Sequence, residues 1–245
     1  MALPQQKLGK QTEGDNVTTH IDLLIYGRSG AGKTRFASTA PKPYMVSPDP
    51  TGHKSVPYEI DGVVPKKVSE IYEVKEEFYK GGHGYKTLII DGLSWIYDMY
   101  VAEVGQYFHE KMGAKDPDLM PIQGRTKINN RFSGLVKDLV NLTQVENPED
   151  RVHVIFTTLD TFIGEDETTP HNVIPLIGSE KINTKVTAFF AVVGYIWPRG
   201  QKKENNEFDR ARMILFGEAN GVQARDRLDM FPPHGEAPSL SDYLS

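Results

Sequence analysis

An apolar run, IDLLIY at residues 21–26, stops at Gly-Arg-Ser-Gly-Ala-Gly-Lys-Thr over residues 27–34 and restarts as the helix-compatible KTRFAS. No other stretch restricts the possible folds as much. The octet meets G-x-x-x-x-G-K-S/T at each fixed position, the pattern of a strand-to-helix loop that wraps phosphate. Its glycines let consecutive backbone N–H groups turn inward around anionic oxygens, and the helix that follows offers its positive end to the same anion. Gly27, Arg28, Ser29, Gly30, Ala31, Gly32, Lys33, Thr34 and Arg35 are the candidate nucleotide ligands. In such a loop Lys33 reaches the β- and γ-phosphates, and Thr34 presents a hydroxyl to Mg²⁺.

The remainder of the chain alternates short apolar runs with helical patterns. Strands are predicted at 21–26, 44–47, 87–90 and 152–157, and helices from Lys33 to about Thr39, at 67–80, at 93–112 and from Lys127 to Val145. TLII and VHVIF lack polar alternation, as expected of strands covered on both faces. This is the signature of an α/β fold, a mostly parallel sheet flanked by helices. Later, AFFAVVGYIWP and DRARMILF flank the polar RGQKKENNEF, which predicts a C-terminal antiparallel hairpin. Residues 159–185 read as a long polar connection. Residues 1–18 are expected to be a weakly ordered lead-in, 19–230 the folded domain, and the Pro- and Ser-rich 231–245 a loosely attached tail.

A magnesium-binding phosphate loop needs a carboxylate on a neighbouring strand. Asp91 ends TLIID, where open α/β sheets place ligand groups; it would hold Mg²⁺ through water, although Asp also suits a strand end or helix N-cap. Turnover needs a group that orients water and a cation for the charge that develops on the γ-phosphate. Asp49, Thr158, and Arg225 with Arg227 stand after later apolar runs and are the candidates.

Composition narrows the partners. With 28 basic and 33 acidic residues the net charge is −5, so nucleic acid or anionic membrane would have to be met locally. The absence of cysteine excludes disulfides and thiolate zinc sites. No apolar run reaches membrane-spanning length, and the start lacks a signal-peptide core, which points to a cytoplasmic protein without membrane partners. His109-Glu110 lacks the second histidine of a zinc helix, and Trp95 and Trp197 suit core or interface packing.

Gly27 to Thr34, Asp91 after TLII, and Arg225-Asp226-Arg227 after the last strands resemble the core of RecA-like P-loop ATPases. In order and length, residues 20–230 resemble the phage-encoded nucleotide-binding recombinases and single-strand annealing proteins. The resemblance implies ATP and Mg²⁺ as cofactors, and a ring or filament with nucleotide at the subunit boundary. It also implies single-stranded DNA and a single-strand-binding protein as partners, with the host cytoplasm as location. Arg225 and Arg227 match a basic-x-Arg element that reaches a neighbour's γ-phosphate; a solvated cluster paired with Asp226 is the alternative. Asp49 matches the acidic residue that polarises water, with Asp where many members have Glu, and it also fits the turn PDPTG. Thr158 matches a polar sensor, or is a plain strand-end threonine. DNA loops would fall within 109–131 and 159–185, giving Lys111, Lys115, Arg125, Lys127, Arg131, Lys181 and Lys185, with Phe162 for stacking.

Other P-loop functions predict different residues. A GTPase would carry Asn-Lys-x-Asp where this chain has TTLD, and a nucleotide kinase an arginine-rich lid. A non-catalytic assembly switch would keep the phosphate loop, and Asp at position 49, where many members have Glu, leaves that reading open.

Overall fold

The computed structural model describes residues 20–112, 122–163, 172–199, 212–217, 219, 221–236 and 239–244. The expected lead-in, residues 1–18, lies outside the described residues. In chain order the elements are β1 Asp22–Tyr26, α1 Lys33–Ser38, β2 Pro43–Val46, β3 Asp61–Val63, α2 Val68–Lys80, β4 Thr87–Asp91, α3 Leu93–Met112 and α4 Ile122–Val140. Then follow β5 His153–Thr158, β6 Asp160–Ile163, β7 Asn172–Pro175, α5 Glu180–Thr187, β8 Val192–Pro198, β9 Arg212–Leu215, β10 Arg225–Asp226 and β11 His234–Glu236. Short 3-10 turns occupy Gly52–Ser55, Asn141–Gln144 and Pro148–Asp150.

One mixed sheet runs β3-β2-β4-β5-β1-β8-β9-β11, with β10 also paired to β8. The strands from β3 to β8 are mutually parallel. The antiparallel pairs, β9 and β10 on β8 and β11 on β9, gather at one side. Consecutive side chains of a strand point to opposite faces, so the apolar runs feed two cores. Leu24, Tyr26, Leu88, Ile90, Val154 and Phe156 pack under α2 to α5. Leu23, Ile25, Ile89, Ile155 and Ile196 pack with Phe36 of α1 on the other face. Full burial of each such side chain contributes roughly 1.5–3 kcal/mol, which anchors the strand ends that carry the polar groups.

The structure departs from the sequence expectation in four places. β3, a three-residue strand at the sheet edge, escapes a reading that needs longer runs. The polar connection 159–185 contains a two-stranded sheet, β6 with β7, and most of helix α5. Helix α4 starts at Ile122, because Gly124 is a buried helical position rather than a loop residue, and it gives way to a 3-10 turn at Asn141. The tail is packed: Phe231, Leu240 and Leu244 are buried with Phe36, and Leu240 N–H donates to Thr39 Oγ1 at 2.7 Å.

Among the described residues, no helix is long and apolar enough to cross a membrane.

Candidate functional site

Parallel pairing sets the chain's polar strand ends side by side. Tyr26 lies opposite Thr158, and Thr157 opposite Asp91, so the loop after β1 and the ends of β4 and β5 open on the same edge. The turn after β2 joins them. Together they line a cavity of about 500 Å³ that includes Lys33, Thr34, Asp49, Asp91, Thr157 and Arg212.

The loop has the geometry its composition implies. Gly32 adopts φ +95°, in the left-handed region that penalises a side chain. Lys33 Nζ turns back on its own loop, donating to the carbonyls of Gly27 and Arg28 at 2.8 Å each. Burial lowers the Lys33 pKa against the pull of Asp91 and Asp160.

Asp91 is the hub. Its Oδ1 accepts from Thr34 Oγ1 at 2.8 Å and Thr157 Oγ1 at 2.7 Å, while Oδ2 accepts from Ser47 Oγ at 3.2 Å. Thr157 Oγ1 in turn accepts from Gly92 N–H at 3.0 Å, which fixes the start of α3 to the end of β5. Asp49 faces the same cavity. A Cβ at Gly52 would stand 2.7 Å from Asp91 Oδ2 and 3.3 Å from Asp49 Oδ2, so both carboxylates border one backbone turn. Asp49 Oδ1 also accepts from Thr51 N–H at 2.8 Å and Thr51 Oγ1 at 2.7 Å. Burial alone would raise the Asp49 pKa, but these bonds and the Gly52 N–H outweigh it and lower it. Asp49 thus belongs to the turn and to the cavity at once.

Hard oxygen donors at Thr34, Ser47, Asp49 and Asp91 suit a Mg²⁺ ion: a hydroxyl in direct contact and carboxylates reached through water. The open cradle around Gly30, where an added Cβ would touch nothing within 4 Å, leaves room for a phosphate chain.

Several sequence-predicted residues do not join this cluster. The hydroxyl of Thr158 donates to Leu176 O at 2.6 Å and so ties β5 to the segment after β7, although the residue borders the cavity. Arg225 pairs with Val193 at the start of β8, and its guanidinium donates to the carbonyls of Thr187 and Phe190 just before that strand. Arg227 follows it, exposed, with its backbone N–H on Ala191 O. Both lie toward the amino ends of the parallel strands, whereas the loop of Lys33 lies at their carboxyl ends. A contact of either arginine with the phosphate site of its own chain is therefore excluded by topology.

The DNA candidates are dispersed. Arg131 pairs with Glu103 at 3.0 Å, Lys127 stands over the Tyr107 ring at 4.7 Å, and Lys185 donates to Ser133 Oγ at 2.9 Å. Arg125 and Lys181 are exposed. Lys115 lies outside the described residues, as does the side chain of Lys111. Phe162 on β6 is 51% exposed, with the Arg28 guanidinium 5.8 Å from its ring centre, so it stands beside the phosphate loop.

Four contributors escape a reading of the sequence. Ser47 and Thr157 bind Asp91, and Trp95, 44% exposed, borders the cavity at Gly92 rather than filling a core. Arg212, first residue of β9, lies against Gly32. Strand parity is the signal for Thr157, since it is the register partner of Asp91.

Residues 19–228 match the family model described as an AAA domain. Among solved structures, one described as an ATPase domain aligns over 89% of this chain and 80% of that chain, with 11% identity and a TM-score of 0.47. No curated protein matches.

Proposed function

The chain belongs to the AAA domain family of P-loop ATPases, and from that premise we propose that it binds and hydrolyses ATP as a RecA-like protein assembled on single-stranded DNA. One observation carries the nucleotide part. Thr34 from the phosphate loop and Asp91 from a different strand, 57 residues apart, meet at 2.8 Å on a cavity that also receives Lys33. The cluster is hydrogen-bonded within itself, and what marks it as a site is the open cavity that it borders.

In this reading Lys33 leaves the carbonyls of Gly27 and Arg28 for the terminal phosphates, and Thr34 directly and Asp91 through water would hold Mg²⁺. The ion would supply charge neutralisation for the phosphate chain. Thr157 positions Asp91, and Asp49 orients the attacking water from the turn that borders the same carboxylate. The domain assigned to this work is residues 19–230.

Exposed Phe162 and Arg28 form an aromatic and cationic pair next to the nucleotide cavity, chemistry suited to a base and its phosphate. Of the two arginines expected to act across a subunit boundary, Arg227 is the one available to a neighbour, because Arg225 is occupied by two carbonyls. Ring or filament assembly would bring Arg227 to the adjacent site during recombination or annealing.

The test is a titration of the full chain with Mg²⁺-ATP, followed by single-stranded DNA at low salt with turnover recorded. Saturable ATP binding lost in Lys33→Ala, and hydrolysis raised by DNA, is the expected result. Absence of nucleotide binding overturns the reading; binding and turnover indifferent to DNA removes the DNA part and leaves the ATPase.

A further inference from the structure

Strand β8 is longer than the strand it flanks. Its register with β1 ends at Tyr26 opposite Tyr195, so Ile196, Trp197 and Pro198 run on past the phosphate loop. The approach is close: a Cβ at Gly27 would collide with the carbonyl of Ile196. β9 returns antiparallel, with Arg212 opposite Pro198, so its first residue stands at the far end of this overhang. The consequence is visible at Gly32, where a Cβ would run into the Arg212 guanidinium. Arg212 thus lies across the loop residue that precedes Lys33 and lines the same cavity as Thr34 and Asp91.

The electrostatics of that position are unbalanced. Among the described residues, no hydrogen bond or ion pair engages Arg212, and the charged group felt most strongly by it is another cation, Arg35. Burial first, and Arg35 second, lower its pKa. A half-buried guanidinium facing a second guanidinium without a carboxylate is costly unless an anion completes the set. The contrast with the other arginines is clear: Arg225 serves two carbonyls and Arg131 pairs with Glu103.

We propose that Arg212 is a nucleotide-phosphate ligand, supplied in cis by the β8–β9 arm to the outer flank of the phosphate loop opposite Asp91. Its planar fork can take two non-bridging oxygens at once, where Lys33 acts as a point charge. The grip falls on phosphates shared by ATP and ADP, because Arg212 meets the loop at Gly32 rather than at Thr34 and Asp91, where the terminal phosphate and its metal ion are handled. Nucleotide occupancy would then be felt directly by the arm, and by Trp197, which pairs with Met213 one position from Arg212.

This inference rests on the nucleotide-binding reading above, and the experiment separates the two. Isothermal titrations with Mg²⁺-ATP, Mg²⁺-ADP and inorganic pyrophosphate are run on the full-length wild type, Arg212→Ala, Arg212→Lys and Lys33→Ala, with thermal unfolding of each without ligand. Arg212→Ala is expected to weaken ATP and ADP by a similar factor, about 10- to 100-fold, with Arg212→Lys recovering part of the loss. Its unfolding temperature without ligand should be unchanged or higher, since a repulsion with Arg35 is removed; a merely structural arginine would lower it. Pyrophosphate weakened alike assigns the contact to phosphate and not to sugar or base. Wild-type affinity in Arg212→Ala, or a drop confined to ATP, overturns the cis grip while leaving nucleotide binding intact. A wild type that binds neither nucleotide overturns the underlying reading instead.

Discussion

The two edges of one sheet employ charged side chains in opposite ways. At the carboxyl ends of the parallel strands, Thr34, Ser47 and Thr157 all donate to Asp91 beside an open cavity. At the amino ends, Asp22 accepts from Ala191 N–H, His153 accepts from Ile21 N–H at 3.2 Å, and Arg225 donates to the carbonyls of Thr187 and Phe190. Contacts between side chains can be exchanged for a ligand without loosening the chain. Contacts that bind a charged group to the backbone of another element cannot, because a buried peptide group left without a partner costs about 1–3 kcal/mol. Position in the sheet, more than residue type, decides whether an arginine or aspartate is free to do chemistry.

The largest effect is expected at the carboxyl edge. Lys33→Ala should weaken Mg²⁺-ATP binding by at least about 100-fold, since a charge-assisted contact to phosphate is lost in a desolvated site. The fold should hardly notice, because Lys33 bonds only to carbonyls of its own loop. Calorimetry beside urea unfolding checks both halves, and a large stability loss would place Lys33 with the structural charges.

The amino edge is sharpened by pH. Burial pushes Asp22 up from 3.8 to about 6, against the Ala191 N–H, while burial and then His20 bring His153 down from 6.5 to about 4. Each displacement corresponds to about 3 kcal/mol. Between pH 3.8 and 6 the unfolded chain has released the Asp22 proton that the folded chain keeps, so stability falls as pH rises. Between pH 6.5 and 4 the unfolded chain takes up a proton at His153 that the folded chain refuses, so stability falls as pH drops. The two slopes oppose each other through most of the same window. Asp22→Asn should therefore expose an acid loss of about 3 kcal/mol from about pH 6.5 to 4, and His153→Asn a gain of similar size. Urea midpoints at about pH 7, 5.5 and 4 that run parallel in all three proteins would refute the opposition.

Arg225→Ala tests the same edge without protons. Removing a charged donor from two carbonyls should cost about 2 kcal/mol of stability and leave ATP affinity of the monomer unchanged. Weaker ATP binding in a monomer of normal stability would instead make Arg225 part of the nucleotide site.

This contrast also explains what the sequence could convey. The phosphate loop is eight contiguous residues whose chemistry and geometry are both local, so Gly27 to Thr34 are legible without neighbours. Asp91 is legible because it ends an apolar run that must be buried in a parallel sheet. Arg225-Asp226-Arg227 displays its charges in sequence, but not the carbonyls of Thr187 and Phe190, which α5 and the turn after it deliver from 35 or more positions away. Asp226 is likewise consumed locally, accepting from the N–H groups of Leu228, Met230 and Phe231. Arg212 is invisible in sequence because its importance comes from the overhang of β8, a length set by pairing rather than by composition.

The smallest effect distinguishes two adjacent threonines. In a strand a shift of one residue reverses the face, so Thr157 and Thr158 send their hydroxyls to different partners although both border the cavity. Thr157 donates to Asp91 and is its cross-strand partner, whereas Thr158 donates to Leu176 O. Valine conserves shape and deletes the hydroxyl in each case, at a cost of about 1 kcal/mol. The stability losses should therefore be similar. Turnover should separate them, with Thr157→Val reducing it about 10-fold through a looser Asp91, and Thr158→Val leaving it within about 2-fold of wild type. Steady-state ATP hydrolysis measured beside chemical unfolding decides the matter: equal turnover losses in the two variants would mean that the carboxyl edge depends on backbone anchoring as much as the amino edge does.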